Sequence, residues 1–252
     1  NYREYYEYEI YDTIAVNKNT ILDYKSMYYV QHDQLDSALQ CVSKIDASYW
    51  DQYPYTLFKC FPFISGNSTT YTSNNDFYPY NKRQYLQRML DVKCLIENKV
   101  GDLSKHYFVL ANGYFNMSNH GNYWIMNMPY KLSDEVENYY YDFSNTSKQF
   151  LENYYGCKKA EEYFLKAFET TKDTAFAALC ISKANLCNQN RQQLTWRLTN
   201  TFNEKEYDWK NELKIIPSRY KQLFLSRYKN KDFYDDFVSN CYHYKHTNSY
   251  YY

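Results

Sequence analysis

Two short residue patterns constrain this chain more than anything else in it. Tyr107, Leu110, Ala111 and Tyr114 fall on one helix face in the order large, large, small, aromatic. Ala160, Phe164 and Ala167 give a second face, small, large, small, one helical turn apart. Both patterns serve close contact between helices: a small residue lets two axes approach, and a ring fills the space beside it. They read as the halves of one helix pair. Ala111 and Ala160 are then expected to face each other across it, with residues 117–155 looped out between them.

The same order of residues occurs in a tetratricopeptide-type repeat, whose first helix carries an aromatic, Leu, a small residue and Tyr, and whose second carries Ala and Phe four apart. Here Tyr107 stands in the Trp place and Ala111 in the Gly place. The rest of the chain suits helices. It holds only 5 Gly and 5 Pro in 252 residues, too few for the frequent turns of an all-β fold. The predicted fold class is therefore all-α, a tetratricopeptide-like antiparallel helix-hairpin stack (a solenoid) with long loop insertions.

Residues 1–19 read as a connector and 20–252 as a single helical-repeat domain, with insertions at about 46–82 and 117–155. Thr20 is placed as the cap of a helix over 21–31. The His32-Asp33-Gln34 turn leads to a helix over 35–45. Leu22, Ser26 and Tyr29 take the large, small and aromatic places of a first repeat helix, and Ala38 and Val42 those of the second. Pro54, Pro62, Pro79, Gly66 and a Ser/Asn/Thr cluster mark the first insertion as a loop. Tyr85, Met89, Val92 and Ile96 form a stripe on a helix over 82–98, which Gly101 ends. Asp102 or Ser104 starts the helix over 103–117 that holds Tyr107 to Tyr114. Helices over 157–170, 174–188 and 217–228 follow, with 188–211 left without assignment, and a last helix over 231–243 carries Phe233, Phe237 and Cys241 as a cap on the stack. The small residues Ala175, Ala177, Ala178, Ser182 and Ala184 predict a helix enclosed by neighbours.

Charge is balanced, 29 basic against 29 acidic residues, which argues against a nucleic-acid partner. No apolar run approaches the roughly 18 residues of a membrane-spanning helix. The chain opens at Asn1 without Met, which reads as a processed protein or a piece of a longer one. Its 7 cysteines show no paired metal-type spacing and read mostly as small buried apolar residues, with Cys180 and Cys187 on one helix face.

No catalytic signature emerges. The Cys241, His243, His246 cluster lacks the ligand spacing of a zinc site and reads as the polar end of a helix. His120, in the run 116–122, reads as part of a turn, and no phosphate-cradling Gly loop or nucleophile elbow is present. Asp134/Glu135 and Glu161/Glu162 read as solvated acids, and Lys158/Lys159 as surface partners of the latter. No cofactor, catalytic or metal site is predicted. The second insertion is richer: Tyr123, Trp124, Met126, Met128 and Tyr130 concentrate the side chains that proteins use to bind one another. They are candidate partner-binding anchors, and the competing reading is that they roof the core. The segment 53–64 is a second candidate anchor. The 34 tyrosines suit helix seams and contact surfaces alike.

Three phrases, 110–122 (LANGYFNMSNHGN), 154–167 (YYGCKKAEEYFLKA) and Lys231-Asp-Phe-Tyr234 with Cys241, resemble the C-terminal part of large helical-repeat envelope proteins of Bacteroidota. The resemblance spans 20–243 and implies a non-catalytic scaffold in the cell envelope, docking other proteins in an outer-membrane or secretion assembly. It also implies an alternative, a surface glycan-binding module that uses exposed Trp and Tyr as sugar platforms. That phylum attaches O-glycans at Asp-Ser/Thr-apolar triplets. Three occur here, at Asp12-Thr13-Ile14, Asp36-Ser37-Ala38 and Asp173-Thr174-Ala175, and each also reads as an ordinary helix start.

Overall fold

The computed structural model describes residues 17–51, 81–129, 146–199 and 216–234, and all secondary structure in them is helical. The eight α-helices among the described residues are α1 Lys18–Gln31, α2 Leu35–Val42, α3 Lys82–Glu97, α4 Leu103–Asn116, α5 Lys148–Tyr154, α6 Lys158–Thr170, α7 Thr174–Thr199 and α8 Arg219–Tyr228. Short 3₁₀ turns lie at Ala47–Asp51 and Trp124–Met126.

Side-chain caps fix the helix starts. Asn17, not Thr20, caps α1 by accepting from the Thr20 amide at 3.0 Å, so the helix begins before the expected connector ends. Asn is the stronger cap, and Thr20 is left to the first turn. Asn81 and Gln84 cap α3 reciprocally, each side chain taking the other's amide at 3.0 Å. Gly101, at φ 72°, turns the chain between α3 and α4, and Asp102 caps α4 through the Ser104 amide at 3.0 Å.

Helices pack mainly on their chain neighbours, α1 on α2, α2 on α3, α3 on α4, α6 on α7 and α7 on α8, while α4 packs on α6 across the short α5. The pairing of α4 with α6 is the most extensive. Ala111, Ala160, Leu110, Phe164 and Ala167 are all buried, Tyr114 nearly so, and Tyr107 is half-buried. Ring contacts close the seam: Phe108 meets Phe164 edge-on at 5.5 Å, and Tyr107 meets Tyr163 at 6.3 Å. One apolar cluster runs from Val30 and Leu35 through Tyr85, Phe164 and Ile181 to Phe224.

Two expectations need correction. Helix α7 does not stop near 188 but continues to Thr199. Its buried positions Ala177, Ile181, Ala184, Cys187, Asn190 and Leu194 keep a three-to-four-residue rhythm. The inward Asn190 interrupts the apolar pattern and hid the last turns. The second insertion is not simply looped out either. Ser147 caps α5 through the Phe150 amide at 3.2 Å, and Phe150, Leu151, Tyr154 and Tyr155 gather with Leu194 into a small satellite core. Helix α5 packs on α6, α1 and α7. The insertion is sewn back by backbone bonds, Tyr123 to Asn116 at 2.7 Å and Asn119 to Tyr154 at 2.9 Å. Gly121 makes this fold-back possible, because a Cβ there would lie 2.3 Å from Asn116 Cα. The first insertion beyond Asp51, the last helix beyond Tyr234, and Asp134/Glu135 lie outside the described residues.

Candidate functional site

The polar chemistry of the fold gathers where the α1–α2 turn meets the end of α4 and the start of α6. Asp33 makes that turn in the left-handed region, φ 58°, a conformation Asp adopts more readily than most residues. Its Oδ1 accepts the Tyr114 hydroxyl at 2.7 Å, and its Oδ2 pairs with the Lys159 ammonium. Lys159 and Lys93 also lie over the Tyr114 ring, 5.4 and 5.7 Å from its centre. Tyr163 stacks on the same ring at 5.5 Å and 7°. Burial pushes the Tyr114 phenol well above its usual 10.0, with Tyr163 adding to the rise, so it stays a neutral donor to the carboxylate. A partly enclosed cavity of about 20 Å³ opens beside this knot, lined by Asp33, Tyr114, Ser118, Asn127, Tyr154 and Lys159 among others. That is room for one water and well short of a small-molecule site.

Behind the cavity lie two buried thiols. Cys157 precedes α6 in the left-handed region, φ 52°, and Cys187 projects from α7. Asn190 Nδ2 donates to Cys157 Sγ at 3.4 Å, and Cys157 Sγ lies 3.4 Å from Ser118 Oγ. Burial pushes the Cys157 thiol up, but its polar neighbours Cys187, Ser118 and Asn190 together outweigh it and leave it below the usual 9.0. Burial drives Cys187 the other way, well above that value.

Two charge clusters are buried, one of them where the sequence suggested solvated acids. Glu161 is 3% exposed and takes a two-pronged contact from Arg191 of α7, at 2.5 and 3.0 Å. Glu161 also adds, behind burial, to the upward shift of the Tyr220 phenol of α8. Lys158 pairs with Glu152 at 2.7 Å and Lys159 with Asp33, so neither serves as the surface partner of Glu161. Elsewhere, Asp23 of α1 and Lys82 of α3 form an ion pair at 2.7 Å, 0% and 2% exposed at their side chains. Burial lowers the Lys82 ammonium, with the attraction of Asp23 opposing. The helix expected over 82–98 places Lys82 in its first turn, but nothing in the sequence points to Asp23 as its partner.

The candidate partner-binding residues divide. Tyr123 and Met126, each 1% exposed, are core residues: Tyr123 packs against Tyr85 at 4.9 Å, and neither presents a surface to a partner. Trp124 and Met128 are half-buried and pack against the satellite core, and Tyr130 and the segment 53–64 lie outside the described residues. His120 donates its Nε2–H to the Tyr155 carbonyl at 3.0 Å, within the expected turn. Asp173 caps α7 through the Ala175 and Phe176 amides at 2.9 and 3.0 Å, leaving Thr174 exposed. Asp36 is exposed on the first turn of α2. The triplet at 12–14 and the Cys241, His243, His246 cluster lie outside the described residues. Exposed apolar surface gathers on α1, where Ile21, Tyr24 and Tyr28 are 55%, 50% and 56% exposed along one face.

Comparison with known proteins gives no matching family model, no similar curated protein and no similar solved structure. Among the described residues, no helix is long and apolar enough to cross a membrane.

Proposed function

We propose that this chain is a non-catalytic helical scaffold that docks another protein, as an accessory subunit of a cell-envelope or outer-membrane assembly. The observation that carries the docking role is the outer row of α1. Ile21, Tyr24 and Tyr28 stand at helical spacing, each at least half exposed, on a helix whose opposite face buries Asp23, Ser26, Met27 and Val30. Rigid aromatic side chains on a firmly seated helix lose little entropy on binding, and Tyr is enriched in binding hot spots. The tetratricopeptide-type stack is part of the proposal, and the neighbour-on-neighbour packing of the helices supports it. The envelope setting rests on the resemblance to Bacteroidota repeat proteins.

The glycan-binding alternative calls for flat rings side by side in an open groove. The near-parallel pairs Tyr114–Tyr163 and Phe150–Tyr154 instead stack face to face with Tyr114, Phe150 and Tyr154 buried, which favours the docking reading.

A photocrosslinking amino acid placed at Tyr24 or Tyr28 in the source cells tests the docking face, with the exposed Glu162 of α6 as the control position. A discrete adduct of one mass at 24 and 28, absent at 162, is the expected result. Equal labelling at all three positions, or none, rejects it. Selective binding on a glycan array, abolished by Tyr24→Ala and Tyr28→Ala, would put the sugar-binding reading in its place.

A further inference from the structure

We infer that the outer row of α1 takes an acidic amphipathic helix of the partner protein, whose carboxylates meet Lys18 and Lys25. The inference rests on the docking role of α1 and adds the chemistry of what docks there.

The row carries a register as well as exposure. Counted in sevens, Ile21 and Tyr28 share one position and Tyr24 follows Ile21 by three, the a and d places of a helix–helix seam. Lys18, Lys25 and His32 then share the e place beside that seam, each seven residues from the next. At 3.6 residues per turn, these six positions cover roughly a third of the helix circumference. The opposite side buries Asp23, Ser26, Met27 and Val30, so the whole row turns away from the core.

The charge of this face has one sign. Asp23 is the single acid of α1, and it is buried in its pair with Lys82. Acids in the segments that flank the helix have partners of their own: Asp46 accepts from Asn19 Nδ2 at 2.9 Å, and Asp33 pairs with Lys159. Lys18 and Lys25 are both exposed, beside three exposed apolar or aromatic side chains. In a seam of this kind the e place sets which partner is accepted, through the charge it faces.

That charge pattern selects among occupants. A second copy fits poorly. Antiparallel pairing centred on the row sets Lys25 against its own counterpart, like charge on like. Parallel pairing sets the e place against the g place, which holds Thr20 and the already buried Met27. A bilayer surface calls for a wide apolar face, whereas this one offers three such residues flanked by cations. An acidic helix answers every group at once. Its apolar stripe covers Ile21, Tyr24 and Tyr28, and Asp or Glu beside the stripe meets the two lysines.

The test keeps the photocrosslinking amino acid at Tyr24 or Tyr28 in the full chain in the source cells. The lysines are left as they are, replaced together as Lys18→Arg and Lys25→Arg, or reversed together as Lys18→Glu and Lys25→Glu. Far-UV circular dichroism checks that each variant folds. The Arg pair is expected to keep the adduct and the Glu pair to lower its yield by about tenfold, since two attractions become repulsions. The partner peptide mapped at the crosslink should carry more Asp and Glu than Lys and Arg, beside apolar residues at three- and four-residue spacing. An adduct that survives charge reversal, or that maps to a neutral or basic segment, overturns the acidic-helix inference and leaves the docking face standing. An adduct between two copies of this chain, or with lipid, overturns it in favour of those occupants. No adduct even with both lysines unchanged removes the docking face itself, and the inference with it.

Discussion

Replacing Lys82 by Met should destabilise the fold far more than its position at the start of a helix suggests. Met keeps much of the length and the apolar stem of Lys and removes only the ammonium. That ammonium lies 2.7 Å from Asp23 Oδ1, with both side chains almost wholly out of water. Taking one partner from a buried ion pair leaves a charge that water cannot reach, at a cost of about 3–5 kcal/mol. Against a total stability of about 5–15 kcal/mol, that is a large fraction. It should appear as a lower urea midpoint at unchanged slope, followed by far-UV circular dichroism. Asp23→Leu combined with Lys82→Met is expected to recover most of the loss, because neither charge then needs desolvating. A single-variant cost below about 1 kcal/mol would mean that the pair is hydrated in solution, as exposed pairs are. A double variant as unstable as the sum of the singles would refute the desolvation argument itself.

Glu161→Ala should cost about 1.5–3 kcal/mol, since it strips the two-pronged contact from Arg191 that joins α6 to α7; urea unfolding measures it. Gly121→Ala should destabilise by at least about 1–3 kcal/mol, because the added Cβ meets the backbone of Asn116, and a parent-like melting curve would show that the insertion is not folded back as described. Stability should fall as pH rises above 10.5. Burial raises the phenols of Tyr114, Tyr163, Tyr220 and Tyr228 above 10.0, so the folded chain keeps protons that the unfolded chain gives up. The lowered Lys82 and Lys93 act in the opposite sense, but only below their unfolded value of 10.5. Urea midpoints across that range check the sign, and a midpoint that climbs above 10.5 contradicts it. The 124–126 turn packs on α1, so Trp124→Ala should lower the yield of the photocrosslink from Tyr28 with helical content intact, and an unchanged yield removes Trp124 as a partner-binding anchor.

The helical class and most helix positions were legible in the sequence because they depend on local rules. The stripe of Tyr85, Met89 and Val92 and the cap at Asp102 each need only their near neighbours, and each is found in place, whereas the stop expected at Gly101 is made earlier, by Lys99 in the left-handed region after the Asn98 cap. What escaped depends on partners distant in sequence. Glu161 reads as a surface acid because its neighbours are charged, and only Arg191 explains why it is buried. The end of α7 was missed because Asn190, a core position, carries a polar side chain that meets Cys157. Tyr123 and Met126 look like interface residues by type, since the side chains that bind partners also fill cores, and composition cannot separate the two.

The buried polar contacts share a placement that bears on how the stack holds its shape. Apolar seams join chain neighbours and also α4 to α6 and α5 to α7, and several buried polar contacts cross between elements further apart in the chain. Asp23 of α1 reaches Lys82 of α3. Asp33, after α1, reaches Tyr114 of α4 and Lys159 of α6. Glu161 of α6 takes Arg191 of the next helix, α7. An apolar seam tolerates sliding, because neighbouring registers bury similar area, whereas a buried charge is tolerated only opposite its partner. The polar contacts therefore act on register: they add little net energy and penalise every misaligned stacking of the hairpins. On that argument, variants that replace a whole charged pair by apolar residues keep their stability. What they lose is the sharpness of the unfolding transition, because several stackings of similar energy become accessible.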